Sequence, residues 1–160
     1  MRRTAMILAM GLAIGIGAAC DDDDDPTDPD DIDEFSAQLT PEGDIDTDAS
    51  GRAEFDFDGS TVEYEIELDD ATDVIAAHIH IGTAGTDGPI AVTLFTNSQG
   101  VDVDDDILAD GSFDAGDLES TASVTFEALL TLMANGGAYV NVHTLANPGG
   151  EIRGQLTEDD

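Results

Sequence analysis

Residues Gly51–Leu68, with the sequence GRAEFDFDGSTVEYEIEL, carry the pattern that decides the fold. Apolar side chains occupy every second position on both sides of the Asp58-Gly59 pair, and acidic residues fill positions between them. Side chains of a β-strand alternate between its two faces, so this pattern predicts two half-buried strands. Asp-Gly between such segments is a strong signal for a tight turn. We therefore predict an antiparallel hairpin.

Short apolar segments separated by Gly, Asp and Asn continue through the rest of the chain. Further strands are predicted at residues 35–39, 74–81, 90–95, about 106–113, 138–143 and 150–156. One helix is predicted at residues 125–133, with Asn135-Gly136-Gly137 ending it. Seven or eight short strands with one short helix predict an all-β fold, an antiparallel β-sandwich of the superoxide-dismutase or immunoglobulin type.

The charge of the chain restricts its partners. It has 37 acidic and four basic residues, with a net charge of −33 at pH 7 and no lysine. Only Arg52 and Arg153 are basic after Cys20. A surface of this kind repels nucleic acid and anionic lipid, so we expect no nucleic-acid partner. The acids are spread over the whole domain, which favours adaptation to high salt (halophilic adaptation) over a dedicated cation-binding role.

The N-terminal segment is typical of an export signal. Arg2 and Arg3 precede an apolar stretch at residues 5–16, which is too short to span a membrane comfortably. Small residues at 17–19 then precede Cys20, the only cysteine, and this arrangement resembles the lipobox of bacterial lipoproteins. The resemblance implies a signal peptide at residues 1–19 and a lipid on Cys20. No disulfide is possible within the chain.

The chain then divides into a tether, a domain and a tail. Residues 20–34 are acidic and contain proline, which predicts a disordered tether. The predicted domain covers 35–157, and residues 158–160 form an acidic tail. We expect a protein of the cell envelope that is held to the membrane by its N-terminal lipid and faces the periplasm or the exterior.

All three histidines lie in two predicted strands. His78 and His80 are two positions apart and point to the same face, and His143 shares a face with Tyr139 and Asn141 on the later strand. Imidazole nitrogens from two strands that meet at one point are suitable ligands for copper or zinc. The sequence thus predicts a candidate metal site of His78, His80 and His143.

A structural role for the same histidines is the alternative. Each can form hydrogen bonds with loop backbone or with a carboxylate such as Glu151, which would fix the loop at residues 82–89. For Arg153 a salt bridge to a nearby acid such as Glu151 is favoured over contact with an anion or a partner. Asn141 is expected to satisfy backbone groups near the site.

Three segments together resemble a known family: AHIHIGTAGTDGP at residues 77–89, YVNVHT at 139–144 and PGGEIRGQL at 148–156. They closely resemble the CHRD domain, a module named after chordin and common in secreted bacterial proteins, over about residues 35–157. The resemblance implies an extracellular or envelope β-sandwich and no defined activity. The histidine layout is also similar to the copper site of copper/zinc superoxide dismutase, but the bridging histidine, zinc ligands and disulfide of that enzyme have no counterparts here.

The functional prediction is a non-enzymatic envelope lipoprotein. The sequence contains no nucleophile elbow, no phosphate-binding glycine loop and no cysteine other than Cys20. We predict a binding or structural role toward a protein or surface partner; the sequence establishes no cofactor, and copper or zinc is the candidate. The alternative is a copper- or zinc-binding envelope protein that uses the three histidines.

Overall fold

The computed structural model describes residues 34–159. The predictions for the signal peptide, for Cys20 and for most of the acidic tether lie outside these residues. Within them, eight strands and one helix follow one another in the order β1 to β6, α1, β7, β8. Their bounds are β1 Glu34–Pro41, β2 Ser50–Phe57, β3 Val62–Asp69, β4 Ala71–Ile81, β5 Ile90–Val103, β6 Asp106–Phe113, α1 Phe126–Ala134, β7 Asn135–Thr144 and β8 Ile152–Glu158.

The strands form one antiparallel sheet in the order β5-β4-β7-β8-β1-β2-β3-β6. The edge strands β5 and β6 are consecutive in the chain and are separated only by residues 104 and 105. The Tyr64 hydroxyl of β3 also donates a hydrogen bond of 2.8 Å to the Leu94 carbonyl of β5. The sheet therefore curls until its two ends approach each other, and the shape is nearly that of a barrel.

The prediction of an all-β antiparallel fold with one short helix is confirmed, but the sandwich is not. A sandwich has two separate sheets, whereas hydrogen bonding here links all eight strands into a single sheet. Register shifts in the β4–β5 pair and one in the β3–β6 pair mark irregularities, and such bulges increase twist and help a sheet to curl. Alternating sequence patterns identify the strands, but they do not specify whether the strands form two sheets or one curled sheet.

The predicted hairpin is confirmed as β2 and β3, which pair from Ser50↔Asp69 to Phe57↔Val62. Its inward-facing apolar residues are in the core, and Ala53, Val62 and Ile66 are fully buried. The prediction for β5 was too short, because the strand continues beyond Phe95 to Val103. The polar and glycine residues in this extension resemble a loop in sequence, but the ladder to β4 continues to the Ala71↔Val103 pair.

Helix α1 has the termini that the sequence predicts. The Thr125 side chain accepts a hydrogen bond from the Ala128 amide, and Asn135 caps the other end before Gly136, which has φ of +68°. Leu129, Leu130 and Met133 join the hydrophobic core. At nine residues α1 is too short to cross a membrane, and residues 34–159 contain no helix that could.

The β4–β7 pair presents two chemically different faces. One face contributes to the hydrophobic core through Ala77, Ile79, Val140 and Val142. Strand alternation therefore places the neighbouring residues of both strands on the other face, outside the core. That outer face carries all three histidines.

Candidate metal centre

The structure brings the three predicted histidines together. His78 pairs with Asn141 across the β4–β7 ladder, and His143 pairs with Ala76, one step along the same face. The ring centroids of His78 and His143 are 4.9 Å apart, and those of His78 and His80 are 5.7 Å apart. One ring nitrogen from each of the three side chains lies within 4.8 Å of the others. The predicted convergence is thus observed.

The cluster lies on the outer face of the sheet, because the alternate residues Ala77 and Ile79 occupy the inner face. Loops at residues 82–89 and 145–151 contact the histidines there, which is why His80 and His143 are only 9% and 8% exposed.

Hydrogen bonds to the two loops fix the protonation pattern of two rings. His80 Nδ1 lies 2.9 Å from the Gly88 carbonyl oxygen, and His143 Nδ1 lies 3.1 Å from the Pro148 carbonyl oxygen. A carbonyl can only accept, so both Nδ1 atoms must donate a hydrogen. The Nε2 atom of each neutral ring therefore carries a lone pair. Carbonyl contacts of this kind orient histidine ligands in metal sites.

The Nε2 atoms face an unusual environment. His80 Nε2 is buried and has no hydrogen-bond partner among residues 34–159. His143 Nε2 lies 3.1 Å from His78 Nδ1. Buried polar atoms are nearly always paired, so an unpaired nitrogen beside two other imidazoles indicates a position for a cation.

All three imidazoles are held neutral. Burial, together with charge repulsion from the neighbouring His143 and His80, lowers the pKa of His78 to about 4. Burial also lowers the pKa of His80 and of His143, although their backbone hydrogen bonds act in the opposite direction. Neutral imidazole is the form that binds a metal, so the cluster is in its ligand form at neutral pH.

A stack of side chains supports His80. Its ring lies on Tyr139 with a centroid separation of 5.0 Å and an interplanar angle of 11°. The guanidinium carbon of Arg153 lies 3.6 Å from the centre of the same tyrosine ring. The Tyr139 hydroxyl accepts a hydrogen bond of 3.2 Å from the Gly88 amide. Tyr139 thus connects Arg153, His80 and the 82–89 loop.

Arg153 forms the salt bridge to an acid that the sequence predicts, but its partner is Glu42 and not Glu151. Arg153 Nη1 contacts Glu42 at 2.9 Å and Asp87 at 3.5 Å, and Nη2 donates to the Thr86 carbonyl at 3.3 Å. The arginine side chain is 13% exposed between these groups, and its ionic partners come from two loops instead of its own strand.

Glu151 instead stabilises the turn after β7. It accepts hydrogen bonds from Thr144 at 2.5 Å, Thr47 at 2.7 Å and Asn147 at 2.9 Å. Burial raises the pKa of Glu151, but these three bonds outweigh it and hold the pKa below its usual value. Glu151 therefore orders the 145–151 loop, and the histidines bond to carbonyls instead of this carboxylate.

Asn141 only partly behaves as expected. Its Nδ2 donates a long hydrogen bond of 3.5 Å to the Gly149 carbonyl, in agreement with the predicted contact to backbone. Its Oδ1 is buried and has no partner in the part of the chain that the structure describes.

Sequence reasoning missed two supports of the site. Glu42 is 111 positions from Arg153 and has no local signal that connects it to the histidines. Gln155 donates through Nε2 to the Gly82 carbonyl at 2.7 Å and to the Gly136 and Ala138 carbonyls at 2.8 Å. A role for Tyr139 was detectable, because alternation places it on the face of Asn141 and His143.

A second acidic group, Asp69, Asp70 and Asp104, also has closely spaced ligand atoms. All three residues are exposed, and solvated acidic groups of this kind are common on a surface with so much negative charge. We use it only as a control for non-specific cation binding.

Residues 35–156 match the family model of the CHRD domain. The chain belongs to the CHRD domain family. The matched region includes the helix and all three histidines. It also includes the eight-stranded sheet, except for the first residue of β1 and the last residues of β8. A search of curated proteins gave no match.

Proposed function

We propose that this CHRD domain binds one copper or zinc ion through His78, His80 and His143, in a non-enzymatic protein of the cell envelope. One observation carries the proposal. His80 donates from Nδ1 to a loop carbonyl, its Nε2 is buried and unpaired among residues 34–159, and each of the three histidines places a ring nitrogen within 4.8 Å of the others.

The spacing of the nitrogens supports this assignment. Two nitrogens that bind one zinc ion tetrahedrally at about 2.0 Å are about 3.3 Å apart. His78 Nδ1 and His143 Nε2 form a hydrogen bond of 3.1 Å between the two rings, and this separation is close to that of two nitrogens bound to one ion. Neutral imidazoles are borderline ligands that suit copper and zinc, and the net charge of −33 favours a cation at this surface.

The structural and metal-binding interpretations of the histidines are compatible. In His80 and His143 the Nδ1 atom bonds to a loop carbonyl, and the lone pair of Nε2 is not used by that loop. The same ring therefore orders the loop and supplies a ligand. The hydrogen bond at Nδ1 supports metal binding because it orients the imidazole ring before the ion binds.

Metal analysis with two substitutions tests the proposal. Wild-type protein purified without chelator, then given copper or zinc and desalted, is expected to retain one ion per chain by mass spectrometry. His80→Asn keeps a side-chain N–H near the Nδ1 position for the Gly88 carbonyl but lacks Nε2. We expect it to fold with a melting temperature near that of the wild type and to lose the ion.

The control is Asp69→Asn, which alters the exposed acidic group and is expected to leave the stoichiometry at one. Retention of one ion by His80→Asn would contradict the proposed site. Equal loss in His80→Asn and Asp69→Asn would indicate non-specific binding by the acidic surface.

The envelope location is supported by the N-terminal sequence, in which the only cysteine follows an apolar segment and small residues. In this proposal a lipid on Cys20 holds the domain at the membrane, where it acts as a binding module toward a protein or surface partner. Cys20→Ser is expected to move the protein from the membrane fraction to the soluble fraction with its metal content unchanged. Continued membrane association would contradict the anchor.

A further inference from the structure

Asn141 lies at the centre of the face that carries the candidate ligands. It pairs directly with His78 on β4 and with Arg153 on β8, and it lies between Tyr139 and His143 along β7. Its side chain is 4% exposed. An amide side chain in this position is buried among the ligands and is not part of the hydrophobic core.

The orientation of this amide leaves one acceptor unmatched. The Gly149 carbonyl can only accept, so Nδ2 of Asn141 must face it. Oδ1 then lies on the other side, buried and without a hydrogen-bond partner among residues 34–159. Within the described part of the chain, residues 34–159, the one other buried side-chain nitrogen or oxygen without a partner is His80 Nε2.

The two unmatched atoms are both acceptors and cannot satisfy each other. A metal ion would satisfy the nitrogen lone pair of His80, and a hydrogen donor would satisfy the amide oxygen of Asn141. A ligand that carries hydrogen and binds the metal through oxygen meets both needs.

Gly150 and Glu42 define the space beside this oxygen. A Cβ atom on Gly150 would overlap the Asn141 amide and would lie 2.6 Å from Glu42 Oε2. The absence of a side chain at Gly150 therefore leaves Asn141 Oδ1 and a carboxylate oxygen facing the same small region. Both oxygens accept hydrogen, so the region suits a donor and is unfavourable for an anion.

We infer that Asn141 positions a water molecule as the fourth ligand of the metal, with Oδ1 accepting a hydrogen from that water. This inference rests on the proposed three-histidine site. It makes the site one with three protein ligands and one exchangeable position. It also makes Asn141 the residue that selects a neutral, hydrogen-donating fourth ligand over an anion.

The test uses copper(II)-loaded protein with azide as the anionic probe. Pulsed electron paramagnetic resonance in deuterated water detects exchangeable hydrogens on a copper-bound water, and the azide-to-copper absorption band measures azide affinity. We compare the wild type with Asn141→Leu, which is similar in shape and has no acceptor, and with Asn141→Asp, which keeps an acceptor oxygen. Asn97→Ala, on β5, is the control.

The wild type is expected to show the water signal and weak azide binding. Asn141→Leu is expected to lose most of the signal and to bind azide about tenfold more tightly, the effect of roughly one hydrogen bond. Asn141→Asp is expected to keep the signal and bind azide no better than the wild type, and Asn97→Ala to match the wild type.

The outcomes separate this inference from the proposed function. A wild type without stoichiometric copper overturns the three-histidine site. Copper that binds with one ion per chain, but with the same water signal and azide affinity in wild type and Asn141→Leu, overturns only the role of Asn141. A change in Asn141→Asp equal to that in Asn141→Leu also overturns it, because an acceptor is still present there.

Discussion

At the scale of single residues, the protonation state of the histidines links the site to pH. Burial withholds water from the imidazolium form, which is why the pKa of His78 falls from 6.5 to about 4 and those of His80 and His143 fall as well. In the unfolded chain the three histidines bind a proton near pH 6.5. In the folded chain His78 binds its proton only near pH 4. Stability that is fully present above pH 6.5 is therefore lost as pH falls toward 4.

We predict that the free energy of unfolding of metal-free protein decreases between pH 7 and pH 5. Urea denaturation in the presence of a chelator and at constant salt measures it. His78→Asn removes the ring with the lowest pKa and is expected to show a smaller decrease over the same interval. An identical pH dependence in both proteins would show that His78 does not carry this effect.

At the scale of structural elements, the 82–89 loop is held over the ligand face by Arg153, Tyr139, Gln155 and His80. Arg153 makes the most varied contacts, because it pairs with Glu42, reaches Thr86 and Asp87 in the loop and lies on Tyr139. Its position between two loops and an aromatic ring fixes the distance between loop and sheet.

Arg153→Gln is predicted to destabilise the protein by about 2 kcal/mol and to speed amide hydrogen exchange in the loop, because a largely buried ion pair and a cation–π contact are lost. Arg52→Gln is the matched control, since it removes the same charge from an arginine that pairs with Glu54 and Glu67 at the exposed surface. It is expected to cost about 0.5 kcal/mol or less. Equal effects of the two substitutions on loop exchange would contradict the role of Arg153.

At the scale of the whole molecule, acidic residues cover the outer surface of the sheet. Within the described residues, four salt-bridge contacts involve only Arg52 and Arg153, so most carboxylates have no cationic neighbour. Their repulsion opposes the compact state and is screened by salt, which supports the proposal of adaptation to high salt.

We predict that raising sodium chloride from about 0.1 to about 1 M increases the melting temperature of metal-free protein by about 10 °C, because the screening length falls from about 10 to about 3 Å. At pH 4, where many carboxylates are protonated, the increase is expected to be smaller. Calorimetry measures both values. A salt effect that is equal at the two pH values would indicate a general solvent effect and not charge repulsion.

The sequence was sufficient for the features that depend on neighbouring residues. Alternation in residues 51–68 specified the hairpin and its buried face, and Thr125 and Asn135 marked the ends of the helix. The shared faces of His78 with His80 and of Asn141 with His143 followed from the same two-residue period. The motifs at 77–89, 139–144 and 148–156 indicated the CHRD family that the family match shows.

The tertiary structure alone decided which segments meet and on which side. The order β4-β7-β8-β1 brings together distant residues such as Arg153 and Glu42, which are 111 positions apart, so Glu42 and not Glu151 became the partner of Arg153. The curling of one sheet assigned the histidines to its outer face, where loops bury them and lower their pKa. Local patterns cannot encode these outcomes, because they arise from long-range strand pairing and from the water that the packed loops exclude.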